Sequence, residues 1–335
     1  MENQVITKII EKLKTEHKIK AKWIDHKHND NPNKELDGKL DLYIKNKKLE
    51  FFVEFKREIR KHHLLQIDNY KAQFPELLVI ADFINPKIRE ILKDKEVNYI
   101  DGAGNMYINR GDQLIFIEGK KNEIDQNYYK GRLFGKGGIK IIYAILVNED
   151  IINKPYREIA EQTDTALGTV NYIMKELMIN GYLIFINKNV FRLNNKKDLM
   201  NKWITGYEDK LKKTLFIGKF RFNNNDWKNI KFKNDKTFWG GEPAAEILTK
   251  YLIPQNLTVY TMEETKELVK DYFLIPDANG NVEVYKKFWK IENNLNFKEI
   301  VPALLVYADL IITGNDRNIE TANIIYERYL QNKFE

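Results

Sequence analysis

The order of apolar segments in the first 127 residues constrains the fold more than any other feature of the chain. A helical pattern through Val5, Ile9 and Leu13 precedes two strand-like runs, Leu40–Ile44 and Leu49–Phe55. The segments that follow are a helix at His62–Gln73, a strand at Leu77–Ala81, a helix at Pro86–Lys93 and short strands at Val97–Ile100, Met106–Ile108 and Leu114–Ile117. This alternation predicts an α/β domain over residues 1–127.

Composition excludes several classes of protein. The 335 residues include no cysteine, so disulfide scaffolds, thiolate nucleophiles and Cys-ligated metal sites are excluded. The longest apolar runs, such as Leu77–Ala81 and Ala303–Ala308, are far shorter than the roughly 20 residues that cross a bilayer. Residues 1–12 show no apolar core of a secretory signal. We therefore expect a cytoplasmic protein with no membrane partner.

The distribution of charge indicates where a polyanion would bind. The net charge of +7 is only a weak indication by itself. Residues 131–200 carry 10 basic and 7 acidic side chains, whereas the preceding 130 residues carry 25 and 22. Both segments thus have three more basic than acidic side chains, but residues 131–200 carry this excess in about half as many residues.

Two carboxylates and a lysine in the first domain suggest a metal site. Asp41 lies on one predicted strand, and Glu54 and Lys56 end the next, where alternation puts both on one face. A pair of carboxylates on adjacent strands suits Mg²⁺ or Mn²⁺, which can activate water beside a phosphate. Gln66 and Tyr70 follow at helical spacing and share a face of the next helix.

These residues resemble the motif of the PD-(D/E)xK nuclease superfamily, and the Gln66 and Tyr70 pair looks like the extra motif of its RecB-like branch. The resemblance implies a restriction-endonuclease-like fold, metal binding by Asp41 and Glu54, and assistance to hydrolysis by Lys56. It also implies a further acidic ligand on the first helix, for which Glu11 and Glu16 are both candidates. The same fold is often used for binding alone, so catalysis is a separate question.

The segment 131–195 has the pattern of a winged helix-turn-helix domain. Helices are predicted at Ile139–Leu146, Tyr156–Gln162 and Thr165–Asn180, followed by strands at Tyr182–Ile186 and Val190–Leu193. Thr165 is a suitable N-cap for the third helix, and Gly181 is a suitable terminator. In such domains the second helix of the motif enters the major groove of double-stranded DNA.

The residues that would contact DNA fall into two groups. Small or polar side chains at the start of the third helix allow close approach, and basic side chains elsewhere contact phosphates. The candidates are Lys140, Arg157, Gly168, Thr169, Asn171, Tyr172, Lys175, Lys188 and Arg192. The alternative to DNA binding is that this domain serves in packing or dimerisation. A homodimer is compatible with winged-helix regulators.

Residues 196–335 predict a mixed α/β domain. Polar residues stand at the ends of apolar elements, and the candidate site residues are Trp239, Glu242, Asp309, Arg317 and Glu320. The structural alternative is a fold-defining turn with buried ion pairs, for example Arg317 with Glu320 or Asp309. No reaction follows from these residues.

Several strings distributed over residues 50–330 resemble the AbiEi-like antitoxin and transcriptional-regulator family of type IV toxin–antitoxin systems. They are Ala81–Pro86, Tyr99–Asn105, Tyr156–Ala160, Leu167–Val170, Trp239–Ala245, Gly280–Glu283, Tyr307–Leu310 and Arg317–Ala322. The resemblance implies a DNA-binding regulator whose partner is a nucleotidyltransferase-type toxin encoded nearby.

Three functions remain open from the sequence. The first is a DNA-binding regulator with a nuclease-like domain, acting in phage defence or mobile-element biology. The second is an active Mg²⁺-dependent DNA nuclease that its winged helix targets. The third is an interaction scaffold in which neither module touches DNA.

Overall fold

The structure is a computed structural model. It describes residues 2–25, 36–44, 47–120, 132–187, 190–222, 227–232, 236–290 and 299–334. The chain separates into two compact units, Met1–Tyr128 and Tyr129–Glu335, so the segments 131–195 and 196–335 lie within one unit. Over these described ranges, no helix has both the length and the apolar character needed to cross a membrane.

The first unit is built on a seven-stranded sheet whose spatial order follows the chain. Its strands are β1 (Lys20–Asp25), β2 (Gly38–Ile44), β3 (Lys47–Ile59), β4 (Leu77–Ile84), β5 (Asn98–Asp101), β6 (Met106–Arg110) and β7 (Gln113–Ile117). The three central strands, β3 to β5, are parallel, and the flanking pairs are antiparallel. Parallel neighbours need crossover connections, and helices provide both of them.

Helices cover both faces of this sheet. Helix α1 (Glu2–His17) buries Ile6, Ile9 and Leu13 against one face, which also holds Val53 and Phe55 of β3. Helices α2 (Leu64–Gln73) and α3 (Pro86–Asp94) cover the other face, where Val79 and Ala81 of β4 are buried. Each buried Leu or Ile contributes about 1.5–3 kcal/mol. The result is an α/β domain, as the segment order predicts, with helices on both faces of its sheet.

The second unit begins with three helices and a hairpin. They are α4 (Lys136–Val147), α5 (Tyr156–Thr163), α6 (Leu167–Ile179), β8 (Leu183–Asn187) and β9 (Val190–Leu193). The order agrees with the predicted one. The prediction that Gly181 ends the helix is confirmed, since Gly181 has φ +73° and the Tyr182 amide donates to the Leu177 carbonyl at 2.8 Å.

The predicted N-cap of α6 is wrong by one residue. Ala166 occupies that position, with no side-chain hydrogen bond to the helix. The Thr165 hydroxyl instead shares a hydrogen bond of 2.8 Å with the Thr163 hydroxyl. The tight turn between α5 and α6, with Asp164 at φ +49°, directs Thr165 back toward α5.

The rest of the second unit is mixed α/β, as expected. Helix α7 (Lys196–Gly206) continues through a π-helical segment, Tyr207–Lys212, to Leu215. A five-stranded sheet follows, in the order β11 (Thr237–Gly240), β12 (Leu257–Thr261), β14 (Val282–Lys286), β10 (Phe216–Phe222) and β13 (Leu274–Pro276). Its helices are α8 (Gly241–Thr249), α9 (Thr265–Tyr272), α10 (Ala303–Ile311) and α11 (Asp316–Ile325).

Candidate functional sites

The register of β2 and β3 separates the two carboxylates expected to form a pair. Asp41 lies opposite Glu50 and is ion-paired with Lys48 at 2.9 Å. Glu54 lies four residues further along β3, about 13 Å at the usual rise per residue. The expected juxtaposition of Asp41 with Glu54 is therefore not formed, because the pairing of Ile44 with Lys47 sets a register in which Asp41 faces Glu50.

Asp37, at the entry to β2, is the carboxylate that the structure brings to Glu54. Its amide donates to the Val53 carbonyl at 3.0 Å, and its carboxylate accepts from the Phe55 amide at 2.8 Å. Val53 and Phe55 directly precede and follow Glu54 in β3, so Asp37 lies beside Glu54. Asp37 thus takes the place that the sequence assigned to Asp41.

Glu54 and Lys56 lie on the predicted common face of β3. Glu54 is only 3% exposed and forms an ion pair with Lys56. Nearby, His63 accepts a hydrogen bond from the Arg60 amide at 3.1 Å. Burial, reinforced by the positive charges of Lys56 and Arg60, lowers the pKa of His63, so this imidazole is neutral near pH 7.

Gln66 and Tyr70 share a face of α2, as predicted, and the Gln66 amide donates to the Tyr70 hydroxyl at 2.9 Å. Tyr70 packs partly buried in the core on the α2 side of the sheet. Glu54 and Lys56 belong to that same side, since Val53 and Phe55, which alternate with them along β3, point toward α1.

The two candidates for a further ligand on α1 do not join Glu54. Helix α1 covers the opposite face of the sheet, so Glu11 and Glu16 lie on the wrong side. An ion pair with Lys120 lowers the pKa of Glu16 and occupies its carboxylate. In the described ranges no group of three His, Asp or Glu residues can hold a metal ion. Among the described residues, the carboxylates of Asp37 and Glu54 are therefore the two possible metal ligands at this site.

Helix α6 presents one polar face to solvent. Its apolar residues Val170, Ile173, Met174 and Leu177 are buried. Gly168, Asn171 and Lys175, at i, i+3 and i+7, are exposed, and Tyr172 is partly buried beside them. The structure thus brings four of the predicted DNA contacts together on one accessible stripe.

The other predicted DNA contacts have different settings. Arg157 on α5 and Arg192 on β9 are exposed. Lys140 is ion-paired with Asp164 at 3.3 Å. The Thr169 methyl group lies against Gly137, where an added Cβ would be only 3.0 Å away, so Thr169 is partly buried. Lys188 lies outside the described residues.

Glu242 is the centre of one buried network in the C-terminal region. Its carboxylate accepts from the amides of Gln255 (2.6 Å) and Asn256 (3.2 Å). It also accepts from Arg317 and Asn318, each at 3.1 Å. The suggested pairing of Arg317 with Glu320 or Asp309 is therefore wrong, because the start of α11 lies beside α8. These hydrogen bonds hold the loop at Gln255 and Asn256 against α8 and α11.

Asp309 is the centre of a second network, 2% exposed. The Tyr260 hydroxyl donates to its carboxylate at 2.9 Å, and the Lys212 ammonium lies 2.8 Å from it. Tyr207 donates to it at 3.3 Å and is 2.6 Å from the Tyr260 hydroxyl. Burial, with the charge of Asp309, raises the pKa of both tyrosines, so they remain neutral donors.

The remaining candidates have structural settings. Trp239 is buried among the rings of Phe222, Trp227 and Phe232. Glu320 accepts a long hydrogen bond, 3.4 Å, from the Tyr251 hydroxyl. Of the five candidate residues of the C-terminal region, Glu242 and Arg317 share one network, whereas Trp239, Asp309 and Glu320 have separate settings. The five therefore do not converge on one site.

Sequence reasoning missed Asp37, Tyr207, Lys212 and Tyr260. The register accounts for Asp37, because Ile44 pairs with Lys47 and Gly38 pairs with Val53, which puts residue 37 beside residue 54. The two tyrosines and the lysine come from segments far apart in the chain, and no local pattern marks them.

One family model matches the chain, over residues 192–331. It describes a transcriptional regulator, the AbiEi antitoxin of a type IV toxin–antitoxin system. The match covers most of the region from β9 to the end of the chain and includes Glu242, Asp309 and Arg317. No curated protein and no solved structure matches the chain.

Proposed function

We propose that this chain is a DNA-binding transcriptional regulator of the kind found as antitoxins in type IV toxin–antitoxin systems. The observation that carries the proposal is the exposed stripe of Gly168, Asn171 and Lys175 on α6, immediately before a region that matches that family of regulators. In this proposal residues 131–195 act as a winged helix-turn-helix domain.

The geometry of α5 and α6 supports major-groove binding. A helix fits the groove when its exposed face carries small and hydrogen-bonding side chains near its N-terminus. Gly168 has no atom within 4 Å of the position where a side chain would begin, so the backbone of α6 is accessible there. Asn171 can bind an adenine edge, and Lys175 and Arg157 can contact phosphates.

The partner that this proposal implies is a nucleotidyltransferase-type toxin encoded next to the regulator, in a phage-defence or mobile-element setting. The match over residues 192–331 supports it. The C-terminal networks around Glu242 and Asp309 give this region a rigid framework on which such a partner can act.

Selection from a random duplex library tests DNA recognition. The full chain should enrich a defined motif over successive rounds, and Asn171→Ala should weaken enrichment of that motif. Arg328→Ala, a substitution at the far end of the C-terminal region, is the matched control and should leave enrichment unchanged. If the wild-type chain enriches no sequence and retains no duplex at low salt, the scaffold interpretation replaces the regulator.

A metal-dependent DNA nuclease is the second candidate function, favoured by the position of Asp37 beside Glu54 and Lys56. Two carboxylates suit Mg²⁺ or Mn²⁺, which keep several waters and bind substrate phosphate oxygens as further ligands. The bound ion would offset charge on the scissile phosphate. Asp37 and Glu54 would hold the ion, and Lys56 would orient the attacked phosphate.

If this site is active, Asp37→Asn, Glu54→Gln and Lys56→Ala should each slow plasmid cleavage with Mg²⁺ or Mn²⁺ by about 100-fold or more, because each removes charge from the site. Asp41→Asn is the matched control and should retain cleavage, since Asp41 lies far along the ladder from Glu54. Equal rates in wild type and Glu54→Gln would refute the nuclease.

A further inference from the structure

The hairpin of β8 and β9 forms its own two-stranded sheet. A single hairpin is at best marginally stable in water, so it needs contacts with the rest of the protein. Its base has them, since Leu183 and Leu193 are each only 4% exposed. Further out, Phe185 is 58% exposed and Phe191 is only partly buried. The outer half of the hairpin therefore depends on contacts other than burial in the core.

The turn Glu149–Asn153, which follows α4, supplies those contacts through its side chains. The Asn153 side chain donates to the Phe191 carbonyl at 3.2 Å and accepts from the Phe191 amide at 2.8 Å. Glu149 accepts from the Leu193 amide at 3.2 Å. One asparagine side chain thus makes the two hydrogen bonds to Phe191 that a residue of a neighbouring antiparallel strand would make.

These hydrogen bonds hold the backbone on both sides of Arg192. The Phe191 carbonyl belongs to the peptide group that precedes Arg192, and the Leu193 amide belongs to the peptide group that follows it. Alternation along β9 directs the Arg192 side chain to the face opposite the buried Leu193. Arg192 is exposed, and it forms no ion pair with another described residue. Its guanidinium group is thus available to a ligand, on a backbone that the turn after α4 keeps in place.

We propose that Asn153 is a positioning residue for DNA binding, which holds the outer half of the hairpin so that Arg192 contacts a phosphate of the duplex. Arginine binds phosphate through paired N–H groups, and this geometry requires a defined direction of approach. A backbone that is ordered before binding loses less conformational entropy when the contact forms. Asn153 itself needs no contact with DNA. Because it concerns a contact with DNA, this inference rests on the proposed function.

A double-mutant cycle on the salt dependence of DNA binding tests the positioning role. The probe is a fluorescently labelled duplex of mixed sequence, and the protein is the full chain. Arg192→Ala should lower the slope of log affinity against log salt by about one, because one phosphate contact is lost. Asn153→Ala should lower it by nearly the same amount, although it removes no charge. Asn153→Ala added to Arg192→Ala should lower it no further.

Asn180→Ala is the matched control. Asn180 is an exposed asparagine of the same domain, and its side chain also donates to a backbone carbonyl, that of Glu176 at 2.7 Å. Its substitution should leave the slope unchanged. Hydrogen–deuterium exchange without DNA provides a second readout. The peptide that contains β9 should exchange faster in Asn153→Ala, because the Phe191 amide loses its acceptor, and at the wild-type rate in Asn180→Ala.

The outcomes separate the positioning role from a general loss of stability and from a failure of DNA binding. A wild-type slope or wild-type exchange in Asn153→Ala overturns the inference, and so does a further loss of slope when Asn153→Ala is added to Arg192→Ala. If wild type binds the duplex and Arg192→Ala keeps the wild-type slope, the inference fails while the proposed function stands. A wild-type chain that binds no duplex at low salt overturns both.

Discussion

Asp309→Ala is expected to destabilise the second unit by about 3–5 kcal/mol. The substitution removes the acceptor shared by Tyr207, Tyr260 and the Lys212 ammonium, three groups that lie in or near the core. The Lys212 ammonium would lose its buried partner, and the two hydroxyls, which lie 2.6 Å apart, would keep only their bond to each other. A hydrogen bond to a charged group contributes about 1.5–3 kcal/mol. Asp309 is thus the residue on which the packing of α7 against the C-terminal sheet depends.

Urea denaturation followed by tryptophan fluorescence measures this loss. Four of the five tryptophans, Trp203, Trp227, Trp239 and Trp289, belong to the second unit, so the signal mainly reports its unfolding. Asp316→Ala, which removes an exposed carboxylate at the start of α11, is the control and should change stability by less than about 1 kcal/mol. A similar midpoint for Asp309→Ala and wild type would show that the network is energetically unimportant.

Asn171→Ala is expected to lower the affinity for the selected DNA motif by about 1–3 kcal/mol, or about 5- to 150-fold. Asn171 lies on the exposed stripe of α6 and makes no contribution to its buried face, so folding should not change. Binding to unrelated DNA should fall little, because a neutral side chain carries none of the electrostatic attraction.

Fluorescence anisotropy with the selected duplex and a scrambled one separates these effects. The ratio of the two affinities should shrink in Asn171→Ala. Asn323→Ala, at an exposed asparagine on α11, is the matched control and should preserve the ratio. An unchanged ratio in Asn171→Ala would remove α6 from sequence recognition.

Local patterns in the sequence were sufficient for most of the secondary structure. The helix predicted at Thr165–Asn180 corresponds to α6, and Gly181 predicted its end. The predicted N-cap was wrong because the Thr165 hydroxyl bonds to the Thr163 hydroxyl and not to the helix. The general tendency of threonine to cap helices does not predict this contact.

The sites were harder to predict than the elements. The Glu54 and Lys56 pair was found because alternation along a single strand determines it. Asp41 was chosen in place of Asp37 because the register between strands depends on where the hairpin turns, and a change of four positions moves a side chain by about 13 Å. The Asp309 network depends on contacts between segments up to 102 residues apart, which only the folded chain reveals.

Gly240 shows how tightly that network is packed. A Cβ at this position would be 2.6 Å from the Tyr260 ring and 3.2 Å from an Asp309 oxygen. Any larger residue would displace Tyr260 from the carboxylate. Gly240 is thus required by the close approach of the β11 backbone to the buried tyrosine.

The salt dependence of DNA binding tests whether α6 contacts the phosphates of a duplex. The logarithm of the affinity of the full chain for the selected duplex should fall linearly with the logarithm of salt concentration. Lys175→Ala should reduce that slope by about one, because one phosphate contact is lost. Affinity that is absent at low salt, or a slope that Lys175→Ala leaves unchanged, would contradict DNA binding through α6.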